Sequence, residues 1–60
     1  MTVGELIRKT PDVSIVAVWR NNRLIYFNYI DKMSEWDWLK ADRWEAKSCD
    51  TNTYILSIEV

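Results

Sequence analysis

Asp12, Glu45 and Lys47 are the residues whose types and spacing come nearest to a catalytic pattern in this chain. Pro11-Asp12 and, further on, Glu45-Ala46-Lys47 together spell the PD…(D/E)xK arrangement of a large nuclease superfamily. In such a site two carboxylates hold Mg²⁺ and the lysine assists the attacking water. The pattern is short and common by chance, and that fold normally needs a chain much longer than 60 residues. The ordinary reading of Glu45 and Lys47 is a solvated strand face. A small Mg²⁺-dependent nuclease or nickase is the enzymatic alternative.

Other catalytic chemistry lacks its residues. There is no histidine, which removes the usual general base near neutral pH, the Ser-His and Cys-His pairs and most zinc sites. One glycine cannot build a phosphate-cradling loop. The chain is therefore expected to be no enzyme, with no cofactor and no metal. Cys49 is the only cysteine, so no internal disulfide forms, and a partly buried thiol in a reducing cytosol is expected.

Contact chemistry is better represented. Glu35-Trp36-Asp37-Trp38 is acidic and aromatic, and the chain holds four tryptophans. So small a core does not readily hide that many, and apolar surface left outside usually marks a contact site. Trp19, Phe27, Tyr29, Trp36 and Trp38 are the candidate self- or partner-contact residues, against the plainer reading that they close the core. Arg20 and Arg23 flank a hairpin tip beside Trp19 and, with Arg43 and Lys47, form the candidate nucleic-acid contact, with Trp19 stacking on a base. The plainer reading is that these arginines solubilise a turn. Net charge is −1, which disfavours a nucleic-acid binder, since that function normally needs a basic face.

The elements that must carry these residues follow from local pattern. Thr2-Val3-Gly4-Glu5 reads as a capping box opening a short helix with Val3, Leu6 and Ile7 on one side, ending before Thr10-Pro11. Val13–Arg20 and Arg23–Ile30 read as strands joined by Asn21-Asn22 in a tight type I′ turn. Ser34 to Asp37 caps a second helix through about Leu39 or Lys40, with Trp36 and Leu39 on one face. Asp42–Ser48 alternates as a half-exposed strand, with a continuation of the second helix as the alternative, Asp50-Thr51-Asn52 reads as a turn, and Tyr54–Val60 as a final strand with Tyr54, Leu56, Ile58 and Val60 inward. The expected fold is a single α+β domain, residues 1–60, in the order α-β-β-α-β-β, with an antiparallel sheet and two short helices.

An unbroken register from the Asn21-Asn22 turn places Trp19 opposite Leu24, Ala17 opposite Tyr26 and Val16 opposite Phe27. Both faces of the hairpin are then apolar, whereas a small antiparallel sheet normally keeps one wet face. Burial and chain entropy nearly cancel at this size. A 7.2 kDa chain buries on the order of 6,000 Å² on folding, yielding roughly 90 kcal/mol against roughly 90 kcal/mol of ordering. Contact between subunits is the natural further source of stability, so a homo-oligomer, a dimer or higher, is expected.

The composition is globular, with 48% hydrophobic and 28% charged residues. The longest apolar run, near Val13 to Trp19, is too short to span a bilayer, and no secretory leader is apparent. A cytoplasmic location without membrane contact is expected.

Thr2-Val3-Gly4-Glu5-Leu6-Ile7, the Val-rich strand after it and Arg23-Leu24-Ile25-Tyr26-Phe27 resemble small phage and prophage proteins of low-GC Gram-positive bacteria over about the first half of the chain. That resemblance implies host-takeover or anti-defence proteins, anti-CRISPR inhibitors among them, which often act by binding and as oligomers. It implies a host defence protein as partner and the host cytoplasm as location. One anti-CRISPR type of this size resembles the PC4-like nucleic-acid-binding fold; its residues have no match here, so no site is carried over.

Overall fold

The computed structural model describes all 60 residues. α1 spans Val3–Lys9. The Glu5 amide donates to the Thr2 hydroxyl at 3.2 Å and the Thr2 amide donates to the Glu5 carboxylate at 3.1 Å, completing the capping box. α2 spans Glu35–Ala41 and opens in the same way on Ser34 and Asp37, with both bonds at 3.2 Å. At seven residues each, neither helix would hold alone. Packing fixes them: Val3 and Ile7 of α1 and Ala41 of α2 are buried in one core. A bidentate Arg8–Asp42 pair, at 2.8 and 3.2 Å, then joins α1 to the end of α2. The Arg8 guanidinium also lies 4.7 Å from the centre of the Trp38 ring. Gly4 faces this clamp, where a Cβ would collide with the Asp42 carboxylate.

β1 (Ile15–Arg20) and β2 (Arg23–Tyr29) are joined by Asn21 and Asn22 at φ 52° and 62°, the left-handed pair a type I′ turn demands. β3 (Ser48–Asn52) and β4 (Ile55–Glu59) complete a four-stranded sheet of order β2-β1-β4-β3. The α+β class and the element order are those expected. The sheet, however, is mixed: β1 runs antiparallel to β2 but parallel to β4, and β3 runs antiparallel to β4. The two strands richest in buried residues take the centre, where Val16, Val18, Leu56 and Ile58 are fully buried beneath the helices.

Four expectations for the second half are corrected. Asp42–Ser48 is not a strand. Trp44 and Ala46 do turn to the core while Arg43, Glu45 and Lys47 stay exposed, but before Ser48 the segment makes only a single bridge, Thr2 to Glu45. The strand lies later, over Ser48–Asn52, and takes in the Asp50-Thr51-Asn52 stretch expected to turn. The turn is Thr53-Tyr54, with Thr53 at φ 55°, so Tyr54 projects into solvent rather than inward. β3 is an edge strand exposed at every residue, so it has no buried face to impose apolar alternation. Cys49 lies on it and is likewise exposed, not partly buried.

The hairpin register is also corrected. Trp19 pairs with Leu24, but the next pair is Val18 with Tyr26, which leaves Ile25 as a bulge in β2. Beyond it every β2 side chain is on the opposite face from an unbroken register. Tyr26 turns to the core, where its ring meets Trp44 at 6.0 Å between centroids. Phe27 and Tyr29 turn to the other face, beside Ala17 and Ile15.

Candidate interaction surface

Both helices lie on one side of the sheet. The pairing arranges the other side in three rows running across β2, β1, β4 and β3: Leu24–Trp19–Glu59–Ser48, Phe27–Ala17–Ser57–Asp50 and Tyr29–Ile15–Ile55–Asn52. The β2–β1 half of this open face carries no charged side chain. Phe27 and Tyr29 are each 54% exposed, Leu24 44% and Trp19 38%. The β4–β3 half is polar and carries Asp50 and Glu59, neither of which forms an ion pair.

The middle row has small side chains at its centre, with Ala17 buried among its neighbours. Ala17 and Ser57 are small and adjacent, with Phe27 standing at one end. Next to them a hollow of about 260 Å³ lies between Trp19, Ser57, Asp50 and Glu59. No helix or loop of the chain covers this ground. The open face is thus a flat aromatic patch beside a shallow acidic hollow.

Of the candidate contact residues, Trp19, Phe27 and Tyr29 are brought together here. Trp36 lies elsewhere, 66% exposed on the outer face of α2 with Leu39. Trp38 is half-buried against the core beneath Arg8, so its ring is largely occupied within the chain. Leu24 escaped the sequence reading as a contact residue, although its place opposite Trp19 follows from the turn. The hollow between Trp19, Ser57, Asp50 and Glu59 had no sequence signal, because it depends on β4 lying parallel beside β1 with β3 at its far side.

The candidate nucleic-acid residues are all exposed. Arg20 and Arg23 face each other across the hairpin end, on the side opposite Trp19. The Lys47 amide donates to the Glu59 carbonyl and the Val60 amide to the Trp19 carbonyl, which brings Lys47 to that same end of the sheet. Glu59 lies between them in the strand order. Arg43 sits apart, in the turn after α2. The positive charge is therefore interrupted, not a continuous groove.

The nuclease pattern is not assembled. Asp12 leads into the Ile15 end of the sheet, while Lys47 bonds at the Glu59 end, roughly 13 Å away along β4 at about 3.3 Å per residue. The Glu45 carboxylate instead meets the Met1 ammonium at 2.8 Å.

Shifted acidities belong to caps and clamps, not to this face. Bonds from the Thr2 and Ser34 backbones hold the Glu5 and Asp37 carboxyls below their ordinary range, and the Arg8 bond does the same for Asp42. Burial pushes the Tyr26 phenol up. No helix is long and apolar enough to cross a membrane. Comparison with protein-family models, curated proteins and solved structures finds no match. The functional reading accordingly rests on the surface itself.

Proposed function

We propose that this is a non-enzymatic binding protein that works as a homo-oligomer. The reading places it in the cytoplasm, among the phage or mobile-element proteins its first half resembles, with a host defence protein as the class of target. The observation that carries the oligomer is the uncharged aromatic half of the open sheet face. Trp19, Leu24, Phe27 and Tyr29 stand together there, and a sheet face of this kind is normally packed against another layer. Large aromatic side chains of about 150–250 Å² each, about half exposed, with their aliphatic neighbours offer on the order of 500 Å² per copy. Two copies would bury about 1,000 Å², which reaches the lower bound for a specific interface. Light scattering on the chromatographed protein at low micromolar concentration tests this: a mass above 7.2 kDa supports it, and a folded 7.2 kDa species contradicts it.

Nucleic-acid binding is the second reading, favoured by the exposed, unpaired Arg20 and Arg23 at the hairpin end. It predicts affinity for single-stranded DNA that falls steeply with salt and weakens in an Arg20→Ala/Arg23→Ala variant. A mainly apolar protein contact is far less sensitive to salt. Absence of any salt-dependent DNA binding leaves the first reading in place.

A further inference from the structure

We infer that the hollow beside Trp19 seats an arginine side chain carried by a partner protein. This rests on the binding reading proposed above and names the chemistry of the target, but it does not depend on self-association.

The strand register builds the hollow. On the open face Ser48 stands across from Glu59, and Asp50 across from Ser57. Two carboxylates therefore occupy one diagonal and two hydroxyls the other, with the Asp50 and Glu59 Cα atoms roughly 7–8 Å apart. The serines are short, so a space of about 260 Å³ stays open between the carboxylates. Trp19 pairs with Glu59 from the β1 side and supplies an aromatic wall.

The surroundings select the ligand. Neither carboxylate has a cationic partner, and none of the eight lysines and arginines stands in the rows of this face. The site is thus negative with no counter-ion of its own. A divalent metal fits poorly: no three metal-ligating side chains come together, whereas such an ion takes six or more oxygens. Guanidinium fits better than ammonium. Its planar fork donates to two carboxylates at once, its face stacks on an indole, and it is the more weakly hydrated. The hollow is shallow and holds the end of a side chain, not a whole small molecule. A second copy facing this one brings only its own carboxylates, because Arg20 and Arg23 lie on the other side of the sheet. The arginine therefore comes from a different protein.

The test is a titration of the isotope-labelled protein with the blocked tripeptide Ala-Arg-Ala, followed in proton–nitrogen correlation spectra. The control peptide carries citrulline in place of arginine, which keeps the shape and removes the charge. The arginine peptide should shift the Trp19 indole and the Ser48, Asp50, Ser57 and Glu59 amides saturably, with a Kd on the order of 1 mM. The citrulline peptide should bind about tenfold more weakly or worse. Asp50→Asn/Glu59→Gln alters only exposed positions, so its spectrum should report the same fold, with the arginine peptide bound about tenfold more weakly. Absence of saturable shifts, equal affinity for the two peptides, or undiminished binding in the double variant overturns the assignment. So does a double variant that loses self-association instead of peptide binding, since a second copy would then be the occupant. A failed titration leaves the oligomer reading standing. A folded monomer that takes up the arginine peptide removes the oligomer and keeps this site.

Discussion

Ala17 lies directly opposite Phe27 on the open face of the sheet, a methyl beside a ring. The ring is over half exposed, so its removal costs the isolated fold little, while the proposed contact between copies loses its centre. Phe27→Lys should therefore fold and remain monomeric. The wild type should unfold at a temperature that rises with protein concentration, as linkage to association requires. The Phe27→Lys midpoint should not move with concentration. Scanning calorimetry over a concentration series checks this, and a concentration-independent wild type would contradict it.

Ile25 has no partner in β1, so deleting it leaves Trp19 with Leu24 and Val18 with Tyr26. The variant should fold, with a change of about 1 kcal/mol or less, because no side chain changes face. β1 has no spare residue. Deleting Ala17 would flip one end of β1, exposing Val16 or Val18, and should abolish cooperative unfolding. Chemical denaturation of the two deletions separates the cases.

The limits of the sequence reading have specific physical origins. The capping boxes, the Asn21-Asn22 turn and the inward Leu56-Ile58-Val60 pattern were legible because each is encoded by residues a few positions apart. The bulge at Ile25 was not, since no glycine or proline marks it. Its cause lies across the sheet, where Tyr26 gains the core beside Trp44 only by shifting one place. β3 was missed because an edge strand carrying Asp50 and Asn52 has neither propensity nor alternation to betray it. The aromatic residues of the candidate surface were named, but their division between faces depended on that bulge. Trp38 looked as free as Trp36 until the fold placed Arg8 over it.

Gly4 sits where a methyl group would strike the Asp42 carboxylate. In an open helix Gly→Ala gains about 1 kcal/mol. Gly4→Ala alone should fail to deliver that gain, because it displaces the carboxylate from Arg8. In an Asp42→Ala background the same change should stabilise. A double-mutant cycle by urea unfolding should show coupling of about 1 kcal/mol, and additive effects would mean the clamp does not constrain Gly4.

Asp42, Asp37 and Glu5 all have folded-state acidities held below their ordinary values of 3.8, 3.8 and 4.5. A carboxyl whose folded value is depressed stabilises the fold above its unfolded value, and that contribution disappears as pH falls through the folded one. Stability should thus be flat near neutrality and decline from about pH 5 downward. The decline should be shallower in Asp42→Asn, which has no such proton to take up. Urea midpoints across that range check it, and an unchanged slope in Asp42→Asn would remove Asp42 from the account.

The dependence of the proposed oligomer on the uncovered β1–β2 face is reached most directly by sedimentation equilibrium of the wild type at low micromolar concentration. The account predicts a reversible monomer–dimer equilibrium that the Phe27→Lys substitution abolishes while the far-ultraviolet spectrum stays unchanged. A wild type that sediments as a folded 7.2 kDa monomer throughout would contradict it.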